Sequence, residues 1–197
     1  MDALIARHGL ELHNRFSTAT VAVCGLGGLG SNIAIALARA GIGKLLLIDY
    51  DRVDITNLHR QQYKANQIGL PKTEALSSNL SEIAPYTVVE THCVKITEEN
   101  AVDLLSGADI ICEAFDNPQA KAMLANTVLE KLPGKFYVGA SGMAGIGSTN
   151  EIKTRRLSKF FYLCGDGVSE VGKSEGLFAA RVMACAAHQA HTVIRIL

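Results

Sequence analysis

The stretch from Val21 to Asp51 constrains the fold of this 197-residue chain more than any other part of the sequence. An apolar run, Val21 to Cys24, leads directly into a glycine-rich turn, and helical periodicity follows the turn. Strand, glycine turn and helix in this order are typical of the first unit of a nucleotide-binding α/β fold, in which the helix N-terminus faces a phosphate. The glycines that we expect to form this phosphate-binding turn are Gly25, Gly27, Gly28 and Gly30.

Two aspartates follow the second predicted strand, which begins at Lys44. Asp49 comes roughly 20 residues after the glycine turn, the spacing at which this fold places a carboxylate against ribose hydroxyls. Asp51 stands two residues further along and is a second candidate for the site. A glycine turn that served packing alone would leave Asp49 unexplained, so the two features together predict a bound nucleotide.

The remaining pattern predicts one domain over residues 1–197. Strands and helices alternate up to Ala140, which indicates a parallel sheet. Two strand-like runs, Gly145 to Lys153 and Arg156 to Leu163, then follow without room for a crossover helix, so we expect them to be antiparallel. The predicted fold is a Rossmann-like three-layer α/β structure with a mixed sheet. Its parts are an N-terminal helical segment (1–18), a nucleotide-binding βα series (20–140), and antiparallel strands with a closing C-terminal helix (145–197).

A polar segment from Asp51 to Leu70 carries the next candidates, because long irregular stretches inside a compact domain are often functional. It contains Asn57, Arg60 and Gln61, and Lys72 follows it at the start of a predicted helix. Asp116 comes after the fourth predicted strand, at the same edge of the sheet.

These side chains separate the possible ligands. A dinucleotide's pyrophosphate can be bound by backbone alone, whereas Arg60, Lys72 and an acidic Asp116 favour ATP with Mg²⁺ on Asp116. Three plainer interpretations stay open: Lys72 could be solvated, Arg60 could belong to a surface ion pair, and Asp116 could cap the helix that begins at Pro118.

Charge and cysteine content exclude several classes. Lys plus Arg and Asp plus Glu both total 19, so the zero net charge disfavours nucleic acid as a partner. The first residues contain no apolar run of the length that a signal peptide or a membrane span needs, and we expect a cytoplasmic protein. The five cysteines include no C-x-x-C pair and suggest neither a disulfide framework nor zinc.

Several motifs, in order, resemble the ubiquitin-activating-enzyme-like adenylyltransferases, the family of ThiF, MoeB and HesA. They are GLGGLGS, RAGIGKLLLIDYDRV, the NL-x-RQ element from Asn57 to Gln61, GLPKTEAL, and FDN at Phe115 to Asn117. The C-terminal segments SGMAGIGSTNEIKTRR, FYLCGDG, GLFAARV and AAHQAHTV are similar to the short form of ThiF. The resemblance therefore covers essentially the whole chain.

The resemblance implies a reaction and a role for each candidate residue. A small carrier protein's C-terminal carboxylate would attack the α-phosphate of ATP, giving an acyl-adenylate and pyrophosphate. Asp49 would hold the ribose, Asp116 the Mg²⁺, and Arg60 and Lys72 the phosphates, with Asn57 and Gln61 beside them. The implied carrier is ThiS, a ubiquitin-like sulfur carrier with a Gly-Gly C-terminus that serves thiamine thiazole synthesis, and the implied assembly is a homodimer.

The sequence also departs from the family pattern. Longer members carry paired C-x-x-C motifs for zinc, which are absent from this sequence, so no zinc is expected. An N-terminal arginine reaches the partner subunit's site in the family, and here only Arg7 and Arg15 are available for that role. Cys164 and Cys185 are candidates for a covalent or persulfide link, although buried free cysteines are commoner.

Other functions stay open at this point. Within the family they are activation of the molybdopterin-synthase carrier, action on a modified tRNA, or nucleotide binding without chemistry. Outside it, an NAD-linked oxidoreductase is possible, although no hydride-transfer acid or base is evident.

Overall fold

A computed structural model describes residues 2–172 and 176–197 of the chain. Its layered architecture follows from the first strand, whose side chains alternate between two faces. In β1 (Thr20–Cys24), Val21 and Val23 point into one hydrophobic cluster, and Ala22 and Cys24 point into a second cluster on the opposite face. A strand that is buried on both faces needs helices above and below it, and this gives the predicted three layers.

Within residues 2–172 and 176–197, seven strands form one mixed sheet in the order β3-β2-β1-β4-β5-β7-β6. All neighbouring strands are parallel except β6 and β7, which are antiparallel. The strands after β1 are β2 (Lys44–Ile48), β3 (Val88–His92), β4 (Ile110–Glu113), β5 (Phe136–Ala140), β6 (Lys153–Arg156) and β7 (Phe161–Gly165). The predicted fold class, a Rossmann-like sheet with an antiparallel C-terminal part, is thereby confirmed.

Helices cover both faces of the sheet. The helices are α1 (Asp2–His8), α2 (Leu10–Thr18), α3 (Gly28–Ala40), α4 (Lys72–Ile83), α5 (Ala101–Leu105), α6 (Pro118–Lys131) and α7 (Ala179–Ile196). Helices α3, α4 and α7 supply apolar side chains to the first cluster, and α5 and α6 supply them to the second. Helices α1 and α2 form the N-terminal helical segment. None of the helices within the described residues is long and apolar enough to cross a membrane.

Helix α3 begins at Gly28, within the glycine-rich turn. Gly28 and Gly30 therefore belong to its first turn. At its other end, Gly41 adopts a left-handed conformation, with φ of 92°, and its N–H bonds to carbonyl oxygens of the last helical turn. Gly41 thus ends the helix with a left-handed cap.

The strand predicted from Gly145 to Lys153 is wrong. These residues form a loop with a short 3₁₀ turn at Thr149–Glu151, and β6 begins only at Lys153. The guanidinium of Arg181 in α7 accounts for this, because it donates to the carbonyl oxygens of Gly147 and Ser148, which a strand would have used for pairing. The strand predicted over Arg156 to Leu163 is also displaced, since β7 runs from Phe161 to Gly165.

Candidate nucleotide-binding site

The candidate site lies where the order of the strands reverses. The chain proceeds from β1 outward to β2 and β3, and then returns to place β4 on the other side of β1. Cys24 and Glu113, the last residues of β1 and β4, are paired in register. In open α/β sheets the crevice that binds ligands lies outside such strand ends, beside the loops that leave them.

Steric contacts explain two of the glycines in the turn that follows β1. Gly25 has φ of 90°, and a Cβ at this position would lie 2.9 Å from the Ala114 carbonyl oxygen. A Cβ on Gly30 would overlap the Gly25 carbonyl oxygen. Only glycine fits at either position without displacing backbone. The turn is therefore packed directly against the loop that leaves β4.

Asp49 is buried and is already bonded to backbone. One carboxylate oxygen accepts from the N–H of Leu26 at 2.6 Å, and the other accepts from the N–H of Asp51 at 2.7 Å. Asp49 thus ties the glycine turn to the end of β2. Each oxygen keeps a second lone pair, and the ribose role of Asp49 stays a prediction.

Lys72 begins α4 but is buried. The interpretation of Lys72 as a solvated side chain is therefore wrong. The residue is 5% exposed, and its Nζ donates to Asp51 Oδ2 at 2.7 Å. One bond leaves two further Nζ donors for a phosphate.

Arg60 lies across the first turn of α3. Its side-chain Cγ and Cδ lie 3.4 and 3.5 Å from the position that a Cβ on Gly28 would occupy. Its Nη2 donates to Asn57 Oδ1 at 3.0 Å. Burial lowers the pKa of Arg60 from its ordinary value, and the nearby Asp116 carboxylate opposes that shift. Within the described residues Arg60 forms no ion pair, so the surface ion-pair interpretation is wrong.

Gln61 is the buried member of the same segment. Its Nε2 lies 3.8 Å from the Cβ position of Gly27, at the centre of the turn. Its Oε1 is buried and has no hydrogen-bond partner among the described residues. A buried amide oxygen without a partner is costly in a folded protein. This unmet acceptor at the glycine turn points to a ligand that donates to it.

The segment carrying Arg60 and Gln61 is anchored by residues that the sequence did not single out for the site. Ser31 Oγ accepts from the N–H of Gln62 at 3.1 Å, and Gln62 Nε2 donates to Asn32 Oδ1 at 2.7 Å. Tyr63 donates its hydroxyl to the Leu26 carbonyl oxygen at 2.7 Å. In the sequence, Ser31 and Asn32 are two polar residues near the start of a helix. Such residues are too common to have indicated that they bond to the segment carrying Arg60.

Asp116 is exposed and faces the crevice from the loop after β4. The helix-cap interpretation of Asp116 is wrong, since Asn117 caps α6 by accepting from the N–H of Ala120 at 2.9 Å. Glu113 holds the loop from below: its Oε1 accepts from the N–H of Phe115 at 2.6 Å and from Lys121 Nζ at 2.8 Å. Burial raises the pKa of Glu113, although Lys121 opposes that shift.

The other candidates lie away from this crevice or inside the core. Cys24, Cys112, Cys164 and Cys185 are buried. Burial raises the pKa of the Cys164 thiol, and raises that of Cys185 to about 12, so neither thiol is set up as a nucleophile in this conformation. Arg7 and Arg15 are exposed on α1 and α2, and their role across a dimer stays a prediction.

The fold and the site define a class of protein: a Rossmann-like α/β domain with a glycine turn and basic side chains above it. The model of the ThiF family matches residues 2–197, and the chain belongs to that family. The resemblance drawn from the sequence motifs is therefore confirmed.

Curated relatives match part of the chain. An adenylyltransferase and sulfurtransferase MOCS3 from Aedes aegypti is 36% identical over 132 residues, which are 66% of this chain and 30% of that protein. Ubiquitin-like modifier-activating enzyme 5 from Drosophila persimilis is 33% identical over 153 residues, 72% of this chain and 40% of that protein. The chain thus spans well under half the length of these relatives.

Solved structures share the fold. A tRNA N6-threonylcarbamoyladenosine dehydratase from E. coli, in complex with ATP, superposes with a TM-score of 0.89 over 99% of this chain and 92% of that chain, at 22% identity. E. coli MccB in complex with AMPCPP and MccA gives a TM-score of 0.72 over 95% of this chain and 58% of that chain, at 25% identity.

Proposed function

We propose that this chain binds ATP at the glycine turn and adenylates the C-terminal carboxylate of a small ubiquitin-like sulfur carrier, releasing pyrophosphate. The observation that carries the proposal is the convergence of Arg60, the unpartnered Gln61 amide oxygen and the exposed Asp116 around the first turn of α3. Membership of the ThiF family and the names of its curated relatives, which are adenylyltransferases and modifier-activating enzymes, support the same reaction.

The protein's part in such a reaction is electrostatic and positional. The attacking carboxylate and the triphosphate are both anions, so their approach must be assisted by positive charge. The N–H groups at the start of α3 and the guanidinium of Arg60 face the same place, and the Lys72 ammonium adds charge from α4. Asp49, at the end of β2, is the proposed ribose ligand.

The side chains present fit a magnesium ion bound with the triphosphate. Mg²⁺ in nucleotide sites is held by one or two carboxylates together with phosphate oxygens and water. Asp116 offers an exposed carboxylate with no hydrogen-bond or ion-pair partner in the described part of the chain, whereas the Asp49 and Asp51 carboxylates are bonded within the protein. We propose Asp116 as the protein ligand of Mg²⁺, which would neutralise phosphate charge when bound.

ThiS is our specific proposal for the carrier, and thiamine thiazole synthesis is the proposed setting. Its support is the similarity of the C-terminal segments to the short form of ThiF. We further propose that the protein acts in the cytoplasm as a homodimer in which Arg7 or Arg15 reaches the partner's site.

The test is ATP–pyrophosphate exchange with purified Gly-Gly-ended carriers, in parallel reactions with a ThiS-type and a molybdopterin-type carrier. We expect exchange that depends on the carrier and is faster with the ThiS type. Each carrier lacking its last two glycines is the matched control. Exchange only with the molybdopterin-type carrier would replace ThiS in the proposal, and folded protein that exchanges with neither carrier would contradict the adenylation itself.

A further inference from the structure

His59 lies beside Arg60 at the variable position of the NL-x-RQ element, and it is not among the residues that the sequence predicts for the site. The imidazole is exposed and contacts three groups. Nδ1 lies 3.0 Å from the Thr56 carbonyl oxygen. Nε2 lies 3.3 Å from Arg60 Nη1 and 3.1 Å from the Leu177 carbonyl oxygen.

The contacts decide where the proton of the neutral ring sits. With the hydrogen on Nδ1, the neutral ring donates to the Thr56 carbonyl oxygen and accepts from Arg60 Nη1 at Nε2, whereas with the hydrogen on Nε2 it donates to the Leu177 carbonyl oxygen alone. The first tautomer makes two hydrogen bonds and the second makes one, so we assign the hydrogen to Nδ1. Nε2 of that tautomer has a lone pair and can only accept. Its lone pair cannot bond to the Leu177 carbonyl oxygen, but it can accept from Arg60 Nη1. In the neutral ring His59 therefore holds Arg60.

This bond completes the support of the Arg60 guanidinium. Asn57 Oδ1 accepts from Nη2 at 3.0 Å, His59 Nε2 accepts from Nη1, and the side-chain stem lies over Gly28. Without such contacts a long arginine side chain samples many rotamers. With them, its remaining N–H donors are fixed above the glycine turn.

We propose that His59 is a positioning residue for the adenylation reaction: its Nε2 fixes Arg60 in the orientation that meets the triphosphate. The inference rests on the proposed function, because it assigns His59 an effect on ATP through Arg60. It makes no claim of contact between His59 and the nucleotide.

Two conservative variants distinguish the contribution of Nε2 from that of Nδ1. In His59→Gln the longer side chain puts its amide near the position of Nε2, whereas in His59→Asn the amide lies near that of Nδ1. We expect His59→Asn to weaken ATP binding and slow exchange by about 5-fold to 10-fold, the size of one lost hydrogen bond of ordinary strength. We expect His59→Gln to stay within about 2-fold of the wild type, because its amide oxygen can still accept from Arg60.

A double-mutant cycle shows whether His59 acts through Arg60. In an Arg60→Ala background His59→Asn should have no further effect, because the group that it positions is gone. ATP affinity by titration calorimetry and the exchange rate are both measured for all four proteins of the cycle. A loss that persists in the Arg60→Ala background would overturn the positioning role and assign His59 to its contact with Leu177 instead.

Failure of the inference is distinct from failure of the proposed function. Wild-type protein that binds ATP and exchanges, with His59→Asn equal to it in both assays, would overturn the inference and leave adenylation standing. Wild-type protein that neither binds ATP nor exchanges would overturn both. Thermal unfolding of each variant is the control for folding, and we expect midpoints that match the wild type because His59 is exposed.

Discussion

Two clusters at the C-terminal edge of the sheet contain the same kinds of charged side chain and use them differently. The first, which we call the phosphate cluster, consists of Asn57, Arg60, Gln61 and Asp116 beside the glycine turn. The second, the Arg181 cluster, consists of Asp166, which follows β7, and Arg181 in α7, with the loop around Gly147 and Ser148. Both clusters place an arginine and an aspartate near the start of a long helix.

In the Arg181 cluster the polar groups are bonded to one another. Arg181 Nη2 donates to Asp166 Oδ2 at 2.6 Å, and Nη1 donates to the Gly147 and Ser148 carbonyl oxygens. Asp166 Oδ1 also accepts from the N–H groups of Val168 and Ser169, both at 2.8 Å. Apart from Arg181 Nε, the pair has little bonding capacity left for a ligand.

The phosphate cluster, in contrast, contains polar groups that are available to bond to a ligand. Asp116 is exposed, and Gln61 Oε1 is buried without a partner in the described residues. Polar and charged side chains that bond to other groups of the protein stabilise its fold. Those at a crevice that lack a partner indicate a bound ligand. The comparison therefore predicts opposite consequences for mutation: loss of activity without loss of stability in the first cluster, and the reverse in the second.

The largest effect is expected from Asp116→Ala. Removing the proposed magnesium ligand should lower the exchange rate by about 100-fold to 1000-fold, the range measured for single electrostatic groups at active sites. Because Asp116 is exposed and has no partner within the described residues, the unfolding midpoint should not move. Exchange at varied Mg²⁺ and thermal unfolding check the two halves of the prediction. Near-normal exchange would remove Asp116 from the site.

Arg181→Met should mainly reduce stability. It leaves Asp166 buried without its partner, a change that typically costs about 3 to 5 kcal/mol. Urea unfolding measures the loss. The double variant Asp166→Asn with Arg181→Met should recover part of the stability, since it no longer buries an unpaired charge. If Arg181→Met is as stable as the wild type, the cluster is not the structural support that its bonds suggest.

The contrast also shows which features sequence could predict. The glycine turn, the βα alternation and Asp49 follow from short-range pattern, and the sheet order confirmed the fold that they predicted. Arg60 and Asp116 could be placed at one edge because the ends of parallel strands meet there. The Arg181 cluster was missed because its bonds join residues far apart in the chain, and the same bonds turned a predicted strand at residues 145–153 into a loop. Gln62 and Glu113 were missed for a related reason: their bonds are made to side chains of helices α3 and α6.

Gln61→Met tests the unmet acceptor in the phosphate cluster. The variant removes a buried oxygen that has no partner in the described residues, so stability should be unchanged or slightly higher. ATP affinity should fall by about 5-fold, the equivalent of roughly 1 kcal/mol for one neutral hydrogen bond. Calorimetric titration and urea unfolding are the two measurements. A clear loss of stability would mean that Gln61 is a structural residue like those of the Arg181 cluster.

A change that isolates charge from packing in the Arg181 cluster is the protonation of Asp166. Burial acts to raise the pKa of Asp166, but hydrogen bonds from Ser169, Val168 and Arg181 outweigh it and hold the pKa well below the ordinary 3.8. A carboxyl whose pKa is lower in the folded than in the unfolded state stabilises the fold above the unfolded value. That contribution to stability declines as the pH falls from the unfolded pKa to the lower pKa of the folded state.

Asp166→Asn already lacks this charge, so it should be less stable than the wild type near pH 7 but lose less on acidification. We expect the two stability curves, measured by urea unfolding from pH 7 down to pH 2, to converge as the pH falls below about 4. Below that pH the unfolded chain binds a proton that the folded carboxyl does not bind until its own lower pKa is reached, so the stability that the charge gives the wild type declines as the pH falls. Curves that stay parallel would show that the charge of Asp166 contributes nothing, and that the cluster supports the fold through its hydrogen bonds to backbone alone.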